Sequence, residues 1–206
     1  MQTIGGIPVI YQDDKLLVVN KPSGLLSQPG RGSDLFDSVL SRVRSVLPWS
    51  ELVHRLDRDT SGLLMLGLDP NSHRAMSLAF ADKQVKKHYT GLCAGRIKGI
   101  SGTIVCPLAR IGTNPPQYAA HPEGRIAVTQ WQLLSLETDH ARLRLIPITG
   151  RSHQLRAHLK AIGHPLLGDP IYGHDDADRL KLHAELLAFV HPATGSWLEL
   201  EIPSPF

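Results

Sequence analysis

The chain has 206 residues, 42% of them hydrophobic and 20% charged, with a formal net charge of +3; that length suits one large domain or two small ones with a real core. No stretch approaches the ~20 consecutive apolar residues of a membrane span, and the segment from Met1 to Pro8 lacks the basic patch and apolar run of an export signal. Two cysteines without a CxxC spacing, Cys93 and Cys106, exclude a disulfide framework, make a poor zinc site, and fit reduced thiols in a cytoplasmic protein.

Taken in chain order, residues 9–11 and 16–19 are apolar runs separated by Gln12-Asp13-Asp14-Lys15, the pattern of a hairpin. Ser33 is placed to cap a helix over 34–47, with Phe36, Leu40, Val43 and Leu47 on one face and Pro48 as the stop. Residues 62–68 read as a short buried strand, and Asn71 as the cap of a second helix running to Lys83. Strands are predicted over 86–94 and 103–108. Paired strands follow over 126–136 and 141–148, where Ala141, Leu143 and Leu145 alternate with Arg142 and Arg144. Gly150 leads into a helix over 152–162 that buries Leu155, His158, Leu159 and Ile162 and ends at Gly163. Residues 187–190 and 197–202 flank Pro192-Ala193-Thr194-Gly195 as a last hairpin. Strands dominate without strict alternation with helices, which predicts an α+β domain around an antiparallel or mixed sheet. Neither GxGxxG nor a P-loop occurs, so no nucleotide cofactor is signalled.

Three clusters concentrate chemistry. His54-Arg55-Leu56-Asp57-Arg58-Asp59-Thr60-Ser61-Gly62 sits in a predicted loop before a buried strand, a common home for catalytic groups. If that stretch is extended, Asp57 and Asp59 share a face, which leaves a carboxylate-pair hydrolase open. Lys86-Lys87-His88-Tyr89 joins two lysines to an aromatic ring, a combination able to hold phosphate and stack a base. Gly150-Arg151-Ser152-His153-Gln154-Leu155-Arg156 opens a helix with a guanidinium, as an anion site would. His153 and His158 are five apart and no HExxH occurs, so no metal is expected.

In this order the clusters resemble the RluA family of pseudouridine synthases. The family pattern H-R-L-D-x-x-T-S-G matches His54 to Gly62, its tyrosine strand matches Lys86, Lys87 and Tyr89, and G-R-x-H-Q-L-R matches Gly150 to Arg156. An N-K-P-x-G block matches Asn20 to Gly24, a G-H-P-x-x-G-D block matches Gly163 to Asp169, and Leu182-His183-Ala184 matches another. The blocks run from about residue 10 to the end of the chain. The resemblance implies one catalytic domain over 1–206: a mixed, largely antiparallel sheet with flanking helices and a central active-site cleft. It points to the branch without an N-terminal S4 RNA-binding domain.

The implied activity is isomerisation of uridine to pseudouridine in structured RNA, 23S rRNA or a tRNA anticodon arm or both, by a cytoplasmic monomer without a cofactor. The N1–C1′ bond breaks, the uracil turns, and C5 joins C1′. The resemblance assigns Asp57 as the carboxylate beside the sugar, Arg151 as the guanidinium that orients it, and Tyr89 as the ring against the uracil. Whether Asp57 attacks C1′, bonds to uracil or assists loss of a C2′ proton stays open. Arg55 is the candidate to fill the space left by a flipped base. Arg58, Lys86, Lys87 and Arg156, with Arg31, Arg42 and Arg110, are candidates to grip phosphate. A non-catalytic RNA-binding protein on the same scaffold is the alternative.

Overall fold

A computed structural model describes residues 2–30, 32, 35–113, 115–173 and 177–206. The chain divides into two compact units, one of Met1–Lys87 with Ala184–Pro205 and one of His88–His183 with Phe206. The class is α+β: twelve strands and three helices among the described residues, with a largely antiparallel sheet.

In the first unit β1 (Thr3–Ile4), β2 (Ile7–Gln12), β3 (Leu16–Lys21) and β5 (Ser61–Gly67) follow one another as antiparallel neighbours, and β4 (Glu51–Leu52) also pairs with β5. The expected first hairpin is β2–β3, whose Asp13 carboxylate accepts the Lys15 and Leu16 backbone N–H groups at the turn. Every residue of β5 is buried, which its unbroken apolar run predicts for a strand covered on both faces. The last hairpin is β11 (Leu182–Val190) with β12 (Trp197–Glu201). Leu16, Val18, Leu63, Met65, Leu187 and Phe189 meet Met76 of α2 (Pro70–Ala81) in one apolar cluster, each such side chain contributing roughly 1.5–3 kcal/mol on burial.

Two helix starts differ from expectation. Helix α1 is Val39–Arg44, capped by Ser38, whose side chain and that of Ser41 bond reciprocally to each other's backbone N–H. The predicted cap, Ser33, lies outside the described residues, and Phe36, expected on the buried face, is 67% exposed. Helix α2 is capped by Asp69, not Asn71: the Asp69 carboxylate accepts the N–H groups of Asn71 and Ser72, and Pro70 fills a first-turn position that needs no donor.

The second unit is built from β6 (Lys86–Ala94), β10 (His140–Pro147), β9 (Arg125–Leu136), β7 (Ser101–Thr113) and β8 (Pro116–Ala120), each antiparallel to the next. Strand β6 has the predicted bounds. Strand β7 runs five residues beyond the predicted 103–108 at its C-terminal end, and β8 has no counterpart in the expectation. Ala141, Leu143 and Leu145 are fully buried beneath α3 (Gln154–Ala161), in a cluster with Leu155 and Leu159. Cys93 is buried and unpaired here, and burial pushes its thiol up to about 11. No helix of the described residues is long and apolar enough to cross a membrane.

Candidate active site

The loop carrying Asp57 is braced from the N-K-P-S-G block. Lys21 ends β3 fully buried, and its ammonium donates to the carbonyls of Pro22, Leu25 and Arg58 at 2.9, 2.5 and 2.7 Å. The Ser23 hydroxyl donates to the Asp59 carbonyl at 2.6 Å and the Gly24 N–H to the Arg58 carbonyl at 2.9 Å. Ser27 Oγ donates to the Leu56 carbonyl and accepts the Leu56 N–H at 2.7 and 3.1 Å. A buried ammonium is tolerated only when its donors are satisfied, so this lysine makes the loop backbone part of the core. Lys21→Met keeps the stem and removes the charge, leaving carbonyls unpaired at about 1–3 kcal/mol. We expect a lower urea midpoint together with at least a tenfold drop in turnover. Unchanged turnover in folded protein would show that the brace does not matter to the loop.

The loop itself is a turn closed by Thr60 N–H to the Asp57 carbonyl at 3.2 Å, not the extended stretch that would align Asp57 with Asp59. Asp59 is occupied by its neighbour: Arg58 Nε and Nη2 donate to its two oxygens at 2.9 and 3.3 Å. Asp57 is half-buried and Arg55 exposed. Gly62, just beyond, has φ +116°, and a Cβ there would stand 2.3 Å from the Ala184 carbonyl oxygen. Only glycine lets the strand after the loop press against the backbone of Ala184.

His54 opens the motif but serves the scaffold. Its Nε2 accepts the Met65 N–H at 3.2 Å and its ring stacks on Phe80 at 4.5 Å. Burial, with the Lys87 charge adding, pushes its pKa down to about 3, so it stays neutral near pH 7. Lys87 is half-buried with its ammonium 5.5 Å from the Phe80 ring centroid, and burial lowers its pKa. Lys86 is exposed, 5.1 Å from the Trp197 ring.

In the second unit Tyr89 is half-buried on β6 opposite Leu145 and packs against the apolar cluster under α3. Arg151 is exposed in the turn before α3, its Nε donating to the Ile126 carbonyl at 3.3 Å. Its backbone N–H donates to Gln154 Oε1 at 3.0 Å. His153, which opens α3, has φ 51°, a left-handed conformation rare outside glycine. Its Nδ1 lies 2.9 Å from the Tyr172 hydroxyl, which accepts the Tyr118 N–H at 2.8 Å.

One expected phosphate ligand is corrected. Arg156 is 2% exposed, and its Nε and Nη2 each donate to a different oxygen of Asp169 at 2.8 Å. A fork saturated by a buried carboxylate holds helix to loop and does not face a phosphate. Arg42 is paired with Asp37 at 2.7 Å, and Arg110 donates to the Gly112 and Thr113 carbonyls of its own hairpin. Arg31 lies outside the described residues. Sequence reading missed Lys21 and Gln154 as working parts. The signal for Lys21 was a lysine closing a strand that opens on four apolar residues.

Residues 15–161 match the family model described as RNA pseudouridylate synthase. The chain is 42% identical over 204 residues to the dual-specificity RNA pseudouridine synthase RluA of Yersinia pestis, covering 96% of this chain and 99% of that one. It is 41% identical to the protein of the same name from Escherichia coli K12, over 96% and 93% of the two chains. Among solved structures, human RNA Pseudouridylate Synthase Domain Containing 1 superposes with a TM-score of 0.84 at 27% identity, covering all of this chain and 86% of that one.

Proposed function

The chain belongs to the RNA pseudouridylate synthase family and is an RNA pseudouridine synthase, and from that premise we propose that Asp57 is its catalytic carboxylate, with Tyr89 and Arg151 as partners. The whole of 1–206 acts as one catalytic domain, as a monomer in the cytoplasm. Its substrates are a large-subunit rRNA hairpin and a tRNA anticodon arm, in keeping with the dual specificity in the names of its relatives.

The observation that carries the assignment is the division of labour in the turn: Arg58 binds Asp59, while the backbone on both sides of Asp57 is pinned from Lys21, Ser23 and Ser27. A carboxylate held still beside C1′ stabilises the positive character that develops as the N1–C1′ bond breaks. The role proposed for Arg151 is that of a guanidinium able to pair with a carboxylate, and the role proposed for Tyr89 is that of a ring able to stack on uracil with its hydroxyl available for proton transfer. Arg55, exposed next to the turn, fills the stack left by the flipped uridine; Lys86, Lys87 and Arg58, whose side chain stays 57% exposed beside Asp59 where that of Arg156 is buried, hold the surrounding phosphates.

Release of tritium from RNA carrying 5-labelled uridine tests this, because only C5–C1′ bond formation frees that hydrogen. Release from both an rRNA hairpin and an anticodon stem–loop is expected. No release from any structured RNA would leave the protein an RNA binder on this scaffold. Tyr89→Phe keeps the ring and loses the hydroxyl, so turnover should fall about a hundredfold with KM nearly unchanged. A change confined to KM would remove the hydroxyl from the chemistry.

A further inference from the structure

We propose that Gln154 is the positioning residue for Arg151, acting from inside the protein through the backbone of the turn. The inference rests on the reading of Arg151 as a catalytic partner. Gln154 is 4% exposed and uses both ends of its amide. Its Nε2 donates to the Val128 carbonyl at 2.9 Å and to Thr129 Oγ1 at 3.0 Å. Its Oε1 accepts the Thr149 hydroxyl at 2.7 Å and the Arg151 N–H at 3.0 Å. The amide cannot be turned over: a carbonyl faces one end and a backbone N–H the other, so nitrogen and oxygen each have one permitted place.

The partners are fixed in turn. Thr149 Oγ1 accepts the Val128 N–H at 2.9 Å, leaving its proton for Gln154. Thr129 Oγ1, having accepted from Gln154, gives its proton to His158 Nδ1 at 2.9 Å, and His158 Nε2 faces the Cys106 carbonyl at 3.3 Å. His158 is fully buried. A buried chain in which each direction is determined holds its ends more firmly than isolated bonds do. One end is the backbone N–H of Arg151, and the Arg151 guanidinium is tethered at Ile126, two residues before Val128 on the same strand. Gln154 therefore sets where Arg151 leaves the backbone relative to β9, without touching substrate.

Two substitutions separate positioning from bulk stability. Gln154→Leu removes both arms. Gln154→Glu keeps the acceptor toward Arg151 and Thr149, loses the donor arm, and buries a charge, which costs more than an apolar isostere. Single-turnover rates with excess enzyme, and melting temperatures, are measured for each variant alone and combined with Arg151→Ala. We expect Gln154→Leu to lower the rate at least twentyfold with KM within threefold. The Glu variant should be the faster of the two although it melts no higher. In the Arg151→Ala background Gln154→Leu should cost no more than a further twofold, because its effect passes through the missing guanidinium. The same loss in both backgrounds, or activities that follow melting temperature, would overturn the inference. A normal rate for Arg151→Ala alone would instead remove Arg151 from the mechanism, a separate result read in a separate variant.

Discussion

Asp57→Asn should lower turnover on the order of 10⁴-fold, the scale seen when an essential catalytic carboxylate is neutralised, while Asp59→Asn should stay within a few-fold of the parent. The asymmetry follows from the turn. The Asp59 oxygens are already bound by Arg58, and the Asp59 carbonyl, not its side chain, takes the bond from Ser23. Asparagine at 57 is isosteric and keeps the backbone carbonyl that accepts the Thr60 N–H. The melting temperature of Asp57→Asn should therefore stay close to the parent's while tritium release disappears. On the role proposed for Asp57, what is lost is the negative charge opposite the developing positive sugar. Equal losses at the two positions would favour a carboxylate pair sharing the work, as in a glycoside hydrolase, and would dismiss Asp57 as the single essential acid.

The second large effect is on stability. Arg156→Ala leaves the Asp169 carboxylate buried without its fork, a change that costs about 3–5 kcal/mol, against a total stability of about 5–15 kcal/mol for a typical domain. Burial alone would push the Asp169 carboxyl up. The Arg156 guanidinium, with the N–H groups of Ile171 and Tyr172, more than reverses this and holds it below the ordinary carboxylate range. A depressed folded pKa means that the contribution is present above the unfolded pKa and fades as pH falls through the folded one. In the variant burial is opposed only by the Ile171 and Tyr172 N–H groups, so Asp169 takes up a proton at higher pH and the penalty shrinks. Urea unfolding should show the widest gap between parent and variant at pH 7 and a narrower one near pH 4. A gap independent of pH would mean that the lost stability comes from packing of the arginine stem.

Periodicity carried most of the strands because alternation and burial have the same cause. Ala141, Leu143 and Leu145 face the core for the reason they alternate with arginines, and β5 is an unbroken apolar run because both its faces are covered. Helix ends were less legible. Serine at 38 and serine at 41 cap one another, a weaker signature than serine followed by glutamate, and the apolar Phe36 drew the predicted helix outward although its ring is exposed. Strand β8 has the wrong composition for a confident strand, opening on Pro116 and closing on two alanines.

Among functional residues, the dense nine-residue motif singled out Asp57, but nothing local could tell which of its charges were already spent. Arg156 lies in a basic stretch that reads as a solvent face. Its partner stands 13 residues later, beyond any helical repeat. Lys21 is satisfied by a carbonyl 37 residues away. Pairings made by tertiary structure leave no period in the sequence, and these were the residues misread or missed.

The first unit is assembled from both ends of the chain. When roughly the first ninety residues have left a ribosome, the turn bearing Asp57 and its lysine brace are already synthesised. The strand that supplies Leu187, Phe189 and the backbone against which Gly62 rests is still about a hundred residues from completion. The intervening segment, 88–183, has its own apolar cluster and can collapse first. Until β11 is made, Leu16, Val18, Leu63 and Met65 lack the cover of Leu187 and Phe189, and the apolar face they form is an aggregation liability. Completion of the first unit's core therefore waits on β11, although the residues proposed for the chemistry all precede that strand's core residues.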